Sequence, residues 1–371
     1  MKEINISNIL IRKRREKKLT QEDVANYMGV SKASVSKWET GGSYPDIEFL
    51  PKLATFYNIS LDELLGYNPN LTKEEIRKIY HSLAEDFAKN DFNTVFNKCD
   101  EIIKEYYSCF PLLLQMVLLL INHYTLAGSE EKSQKVINTI LELLKRIKSE
   151  CEDISIVKQS VILEANIYLM TGKPEQVIEL LGEDIVPTAN SDSLISRAYE
   201  LMGNYDKAKE ITQITVFQNL MDLVGNMLVY LSLNNDNKEV FEETLERLER
   251  LNEAYHINRL NPNSMIQVYY AAAKLYMGFD DPDKAIKIIR KYKDVAVKDF
   301  FPCTLHGDDY FNMIDAWFKD FDLGENAPRS EKAIKDDLVN VIDMDSDFER
   351  LKEKKEFQNI VNELKINLGD N

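Results

Sequence analysis

Six cations crowd into the short stretch from Arg12 to Lys18: Arg12, Lys13, Arg14, Arg15, Lys17 and Lys18. Arginine and lysine at such density can hold phosphate oxygens, and Arg12 and Arg14 are the phosphate candidates. Further along, Lys32, Ala33, Ser36 and Lys37 lie off the apolar stripe of a short segment opened by Ser31. Lysine donates to guanine O6 and N7, and an alanine methyl packs on a thymine methyl. Gln21 opens the preceding segment, where a side-chain amide reaches a phosphate or a base edge. The chemistry on offer is hydrogen bonding to a charged, patterned polymer. It is not bond cleavage.

Catalytic groupings are missing from the sequence. The four cysteines, Cys99, Cys109, Cys151 and Cys303, stand far apart without a CxxC pair. The four histidines, His81, His123, His256 and His306, do not fall at i, i+4. Neither a zinc site nor a disulfide framework is expected, and reduced thiols suit a cytoplasm. There is no GxGxxG after a strand, no Walker loop, no GxSxG and no HExxH. The expectation is a non-enzyme with no metal and no cofactor. The first residues lack the apolar core of a signal peptide. The most apolar stretch, 110–121, is too short to span a bilayer and reads as a buried helix, so no membrane partner is expected.

The elements that must position the basic residues are helices. Glycine (13) and proline (10) are scarce among 371 residues, which favours an all-α chain. Ile6, Ile9 and Leu10 share one face of a first helix ending near Lys18. Thr20 caps a second, Gln21 to Met28, which Gly29 ends. Ser31 caps a third, Lys32 to Glu39, with Val35 and Trp38 inward. Asp46 opens a fourth, and Ser60 caps a short fifth. Five short helices with this spacing predict a helix-turn-helix domain.

Charge divides the chain. The first 67 residues carry 10 Lys and Arg against 9 Asp and Glu, whereas residues 68–371 carry 36 against 53, a net of -17. The seam, Gly66 to Thr72, is rich in Asn, Pro and Gly, and Thr72 with Glu75 forms a capping box for the next helix. The expected division is therefore a DNA-binding domain at 1–67 and a sensor and dimerisation domain at 68–371.

The first domain's words are familiar. Leu19-Thr20-Gln21-Glu22-Asp23-Val24-Ala25, Gly29-Val30-Ser31, Val35-Ser36-Lys37-Trp38-Glu39 and Ile59-Ser60-Leu61-Asp62-Glu63-Leu64-Leu65 resemble the Xre/Cro/phage-repressor family. The resemblance covers about the first 66 residues. It implies a lambda-repressor-like five-helix fold with a recognition helix in the major groove. Arg12, Arg14, Gln21, Ser31, Lys32, Ala33, Ser36 and Lys37 are the DNA-contact candidates.

Helical periodicity continues beyond residue 74. Tyr199, Gly203, Tyr205 and Ala208 resemble the tetratricopeptide pattern, as do Tyr168 with Gly172 and Ala273 with Tyr276 and Ala285. Phe87, Tyr124 and Tyr230 are weaker copies. A further pair is expected around Phe311–Phe318 and Ala333–Val341, followed by closing helices from Phe348 to Ile360. The resemblance implies a right-handed α-solenoid with a concave face. In that frame, positions two and nine before the aromatic point inward. They hold Gln115, Asn122, Gln159, Asn166, Asn190, Arg197, Gln267 and Lys274, alongside Met221 and Leu228. A column of amides both donates to and accepts from an extended peptide backbone.

The two halves together resemble the peptide-sensing Rgg, Rap, NprR and PlcR group of Gram-positive regulators and their phage relatives. That resemblance implies a cytoplasmic, homodimeric transcription factor on an inverted-repeat operator, its array binding a small signalling oligopeptide. An array that grips a partner protein is the alternative, and a large exposed apolar patch outside the groove would favour it. A response-regulator phosphatase is the third class, and no residue singles it out.

Overall fold

The computed structural model describes residues 5–66, 71–185 and 191–369. Asn190 and the centre of the seam, 67–70, lie outside them. Among the described residues the chain is all-α, with one isolated bridge, Thr304 to Asn326, as its extended pairing.

Five short helices come first: α1 (Ile6–Glu16), α2 (Gln21–Met28), α3 (Lys32–Thr40), α4 (Phe49–Tyr57) and α5 (Leu61–Leu65). Their boundaries follow local chemistry. Thr20, Ser31 and Ser60 each accept a hydrogen bond from a backbone N–H three residues on, satisfying a first-turn donor. Thr20 and Asp23 complete a reciprocal capping box. Gly29 ends α2 at φ 71°, a left-handed conformation that carries no penalty without a Cβ. Ile6, Leu10, Val24, Ala25, Met28, Val35, Trp38, Leu53, Tyr57 and Leu64 then form a core drawn from residues 6–65 alone.

Longer helices follow: α6 (Lys73–Lys89), α7 (Phe92–Glu105), α8 (Phe110–His123), α9 (Glu130–Glu150), α10 (Ile154–Met170), α11 (Pro174–Leu181), and α12 (Ser191–Leu201) packed on α13 (Tyr205–Leu233). Next come α14 (Lys238–Tyr255), α15 (Ile257–Leu260), then α16 (Pro262–Gly278) packed on α17 (Pro282–Lys298). The chain closes with α18 (Asp315–Lys319), α19 (Glu331–Asp343), a 3-10 turn (Ser346–Leu351) and α20 (Lys355–Leu368). Thr72 and Glu75 exchange the hydrogen bonds of a capping box at the start of α6. Gly128, Gly172 and Gly203 each sit four residues after a tyrosine and take a positive φ between helices. Asp280 fills the same place after Tyr276 at φ 55°.

Two departures from strict repetition stand out. The repeats aligned on Tyr199 and Tyr230 require a break between them, yet α13 runs unbroken for 29 residues. Nothing inside it ends a helix: there is no proline, and Gly225 is tolerated mid-helix at about 1 kcal/mol. Of the pair expected at Phe311–Phe318 and Ala333–Val341, the second forms as α19, whereas the first is mostly irregular: α18 has five residues, and Phe311 and Ile314 are buried from a loop.

Packing divides the chain into two compact units. One comprises Met1–Ile76, Asn93–Ile121 and Ala127–Gly172, and holds α1–α5 with α9 packed on α10. A buried carboxylate there, Glu164, accepts from Lys148 and from the Tyr168 hydroxyl. The other unit comprises Arg77–Phe92, Asn122–Leu126 and Lys173–Asn371. Its core runs from Phe217 to Leu368 and is centred on α16 and α17. Lys284 with Glu242 and Lys291 with Glu249 stitch α17 to α14 outside that core.

Phe110–Ala127 and Tyr205–Leu233 are long and apolar enough to cross a membrane by length and composition. The first stretch supplies Leu112, Leu113, Leu114, Val117, Leu119 and Leu120 to the interior, the pattern of a core helix. The second packs through Phe217, Leu220, Val224 and Leu231 and leaves its other side to solvent.

Candidate nucleic-acid interface

α2 and α3 are joined by Gly29, Val30 and Ser31, a turn short enough to fix their crossing. Val35 and Trp38 anchor α3 in the domain core, with the Trp38 ring 5.6 Å from that of Phe49. That anchoring leaves Ser31, Lys32, Ala33 and Lys37 exposed and Ser36 half-buried along one side. Lys32 stands 3.4 Å from Glu22 on α2, with both side chains mostly in solvent. Lys37 makes no ion pair among the described residues, so its ammonium is available to a ligand.

The basic run is less uniform than its sequence suggests. Arg12 is exposed and lies 3.8 Å from Glu16. Lys13 pairs with Glu63 at 2.8 Å, and Lys17 donates to the Phe56 carbonyl at 2.6 Å. Arg14 faces inward. Its Nε and Nη2 donate to the two carboxylate oxygens of Glu39 at 2.6 and 2.9 Å, and its Nη1 donates to the Leu19 carbonyl. Gln21 Nε2 donates to the same carboxylate at 2.9 Å. The structure therefore brings Arg14 and Gln21 together on Glu39, rather than leaving both side chains in solvent.

Glu39 is 5% exposed, and burial alone would raise its carboxyl pKa. The Arg14 and Gln21 hydrogen bonds and the nearby arginine charges outweigh that and hold it below the ordinary range. Glu39 was missed as a functional partner. The available signal was its place on the buried stripe of α3, four residues after Val35, where a carboxylate demands a cation.

The amide positions of 68–371 fall in different settings. Gln115 is buried and so does not line an open groove. Asn122 is half-buried and donates to the Tyr80 hydroxyl at 3.4 Å. Gln159 and Asn166 are exposed on α10, seven residues apart. Arg197 is exposed and paired with Glu200. Gln267 is exposed on α16. Lys274 is held by Asp345 at 3.1 Å and Asp347 at 2.8 Å, so closing residues already occupy it. Asn190 lies outside the described residues. On α13 the frame selects Met221 and Leu228, which are half-buried; the exposed stripe is Asn219, Leu223, Asn226, Tyr230 and Leu233.

A capped α2, a glycine turn and an anchored α3 with an exposed polar side define a helix-turn-helix DNA-binding module. Residues 10–64 match the helix-turn-helix family model. The chain belongs to the helix-turn-helix transcriptional regulators. It is similar to the cryptic phage CTXphi transcriptional repressor RstR of Vibrio cholerae, at 36% identity over 99 residues, covering 24% of this chain and 89% of RstR. It is also similar to the HTH-type transcriptional activator BcrR of Enterococcus faecalis, at 38% identity over 71 residues, covering 18% of this chain and 35% of BcrR. The uncharacterized HTH-type transcriptional regulator YqaE of Bacillus subtilis matches at 29% over 80 residues, 21% of this chain and 69% of YqaE. The chain thus spans about a third of the length of BcrR. No solved structure matches it.

Proposed function

We propose that this regulator is a cytoplasmic homodimer divided at 67/68, with residues 68–371 forming a tetratricopeptide-like sensor that binds a small signalling oligopeptide. The observation that carries this reading is the exposed face of α10. Gln159, Ile162, Asn166, Leu169 and Met170 recur there at helical spacing and all are exposed. Amides alternate with apolar side chains, so one face offers both backbone hydrogen bonds and side-chain pockets to an extended peptide. The exposed stripe of α13 repeats the alternation with Asn219, Leu223, Asn226, Tyr230 and Leu233.

On DNA, Lys32, Ala33, Ser36 and Lys37 read base edges, with Ser31 and Arg12 on phosphate. Arg14 and Gln21 act chiefly through Glu39, setting the angle of the recognition helix. Two-fold symmetry gives an inverted-repeat operator with half-sites roughly 34 Å, or a multiple of that, apart. Peptide binding shifts the dimer between DNA-competent and DNA-incompetent populations.

A second reading, capture of a partner protein, is favoured by α12. Leu194 and Leu201 on it, and Met202 just past its end, are each more than 70% exposed, more apolar surface than an amide groove needs. Panning a random oligopeptide display library against the full-length protein separates the two. The first reading expects short peptides that alter operator affinity and bind Asn166→Ala more weakly. Failure to recover any peptide, with a folded protein ligand recovered instead, supports the second.

A further inference from the structure

The C-terminal unit contains a cavity of about 540 Å³ that the amide column does not use. It is bounded by the start of α16, the loop 299–306, the loop 325–329 and α19. Its volume falls in the range of small-molecule sites. Ile266, Leu338 and Val341 give it apolar walls. The Tyr292 hydroxyl donates to the Leu338 carbonyl at 2.9 Å and ties α17 to α19 beside it.

Its polar groups are few and unevenly satisfied. Arg329 is paired with Asp337, yet its Nε is buried without a hydrogen-bond partner. A buried donor in that state keeps its desolvation penalty until an acceptor arrives. Asp299 accepts from Asn258 Nδ2 at 2.8 Å and forms no ion pair among the described residues. Glu325 also forms no ion pair among the described residues. Among the described residues the lining therefore carries two carboxylates that form no ion pair, one donor without an acceptor, and apolar walls.

We propose that this cavity binds an amphipathic organic cation. Its apolar body would lie on Ile266, Leu338 and Val341, its positive nitrogen at Asp299 and Glu325, and an oxygen acceptor at Arg329 Nε. An organic anion is disfavoured, because the carboxylates repel it at short range. The inference is independent of the peptide reading, since none of these residues belongs to the amide stripes.

Half-buried Cys303 lines the cavity and reports its occupancy. Berberine, a fluorescent organic cation with oxygen acceptors, is the probe, titrated into the full-length protein. Iodoacetamide alkylation of Cys303 is followed in parallel by peptide mass spectrometry. One saturable phase is expected, with Cys303 protected half-maximally at the same dye concentration. Asp299→Asn with Glu325→Gln should weaken berberine at least about tenfold while the circular dichroism stays unchanged. Val341→Trp, which fills the space, should remove both signals. The anionic dye anilinonaphthalene sulfonate should give no protection. Non-saturable berberine binding, unprotected Cys303 at saturation, or equal affinity in the charge-neutral variant would each overturn the proposal.

Discussion

Arg14 grips Glu39 through two parallel N–H···O bonds, at 2.6 and 2.9 Å, and so ties α1 to the last turn of the recognition helix. The geometry is bidentate and the carboxylate is nearly sealed from water. Gln21 adds a third bond from α2. One buried charge therefore joins three helices, α3 among them.

Removing one partner leaves the other charge stranded, which costs about 3–5 kcal/mol in a buried pair. Arg14→Ala is expected to lower the urea midpoint of the N-terminal transition accordingly and to lose operator binding through unfolding. Arg12→Ala should leave that midpoint unchanged and only reduce the slope of affinity against salt by about one. If Arg14→Ala behaves like Arg12→Ala, Arg14 is a phosphate ligand and not a strut.

The same pair sets an acid limit. Glu39 has a folded pKa below its unfolded one. Its contribution is therefore full above the ordinary glutamate range, near about 4.3, and is lost as pH falls through the lower folded value. Glu39→Gln should flatten the acid limb of the N-terminal stability profile below about pH 4.5 and leave any loss near pH 7 in place. An unchanged acid limb in Glu39→Gln would assign that limb to other carboxylates.

Lys32 faces Glu22 at 3.4 Å across the α2–α3 turn, with both groups exposed. Such a pair adds about 0–1 kcal/mol to stability and competes with DNA for the ammonium. Glu22→Gln should tighten operator binding about threefold at low salt, with the gain fading as salt rises. Lys37→Ala should cost about 1–3 kcal/mol and relax the preference at one base position. An affinity loss uniform across all operator variants would make Lys37 a phosphate contact instead.

The features that could be read ahead of the structure were local ones. Thr20, Ser31, Ser60 and Gly29 act on their own turns, so type and position alone placed the boundaries of α2, α3 and α5. The contacts of Arg14 depend on a residue 25 positions away, and a cation in a basic run looks the same whether it faces water or a carboxylate. The α13 stripe was misplaced because Tyr230 suggested a repeat boundary, while the absence of a helix breaker between Tyr205 and Leu233 kept the helix continuous. Gln115 shares its spacing with Gln159 but sits among Leu112, Leu114 and Met116, which are buried too, so the amphipathic pattern that sorts inner from outer faces is missing there.

These placements separate the amides by role. Asn166→Ala should weaken a bound peptide by about 1 kcal/mol without changing thermal stability, since an exposed amide has little to lose in the free protein. Gln115→Ala should instead lower stability by about 1–3 kcal/mol, because it disturbs a packed interior. Calorimetric titration read against thermal melts distinguishes them. Equal peptide losses in both would restore Gln115 to the groove.

Lys274 was expected to meet a ligand, and the chain's own closing turn meets it instead. Asp345 and Asp347 reach its ammonium from 71 and 73 positions away, and the Tyr270 hydroxyl donates to the same Asp345. Burial alone would raise the Asp345 carboxyl, but the bonds from Tyr270, the Asp347 backbone and Lys274 hold it below the ordinary range. This latch is therefore intact above the ordinary aspartate range, near about 3.9, and is lost as pH falls through the depressed value. Lys274→Ala should leave peptide affinity unchanged and speed amide exchange in 346–351, where the 3-10 turn packs on α16. Asp345→Asn should produce the same local opening at neutral pH, while residues 6–65, which have a core of their own, keep their protection. If Lys274→Ala weakened peptide binding but left exchange in 346–351 unaltered, Lys274 would be a ligand contact and the closing turn would not depend on it.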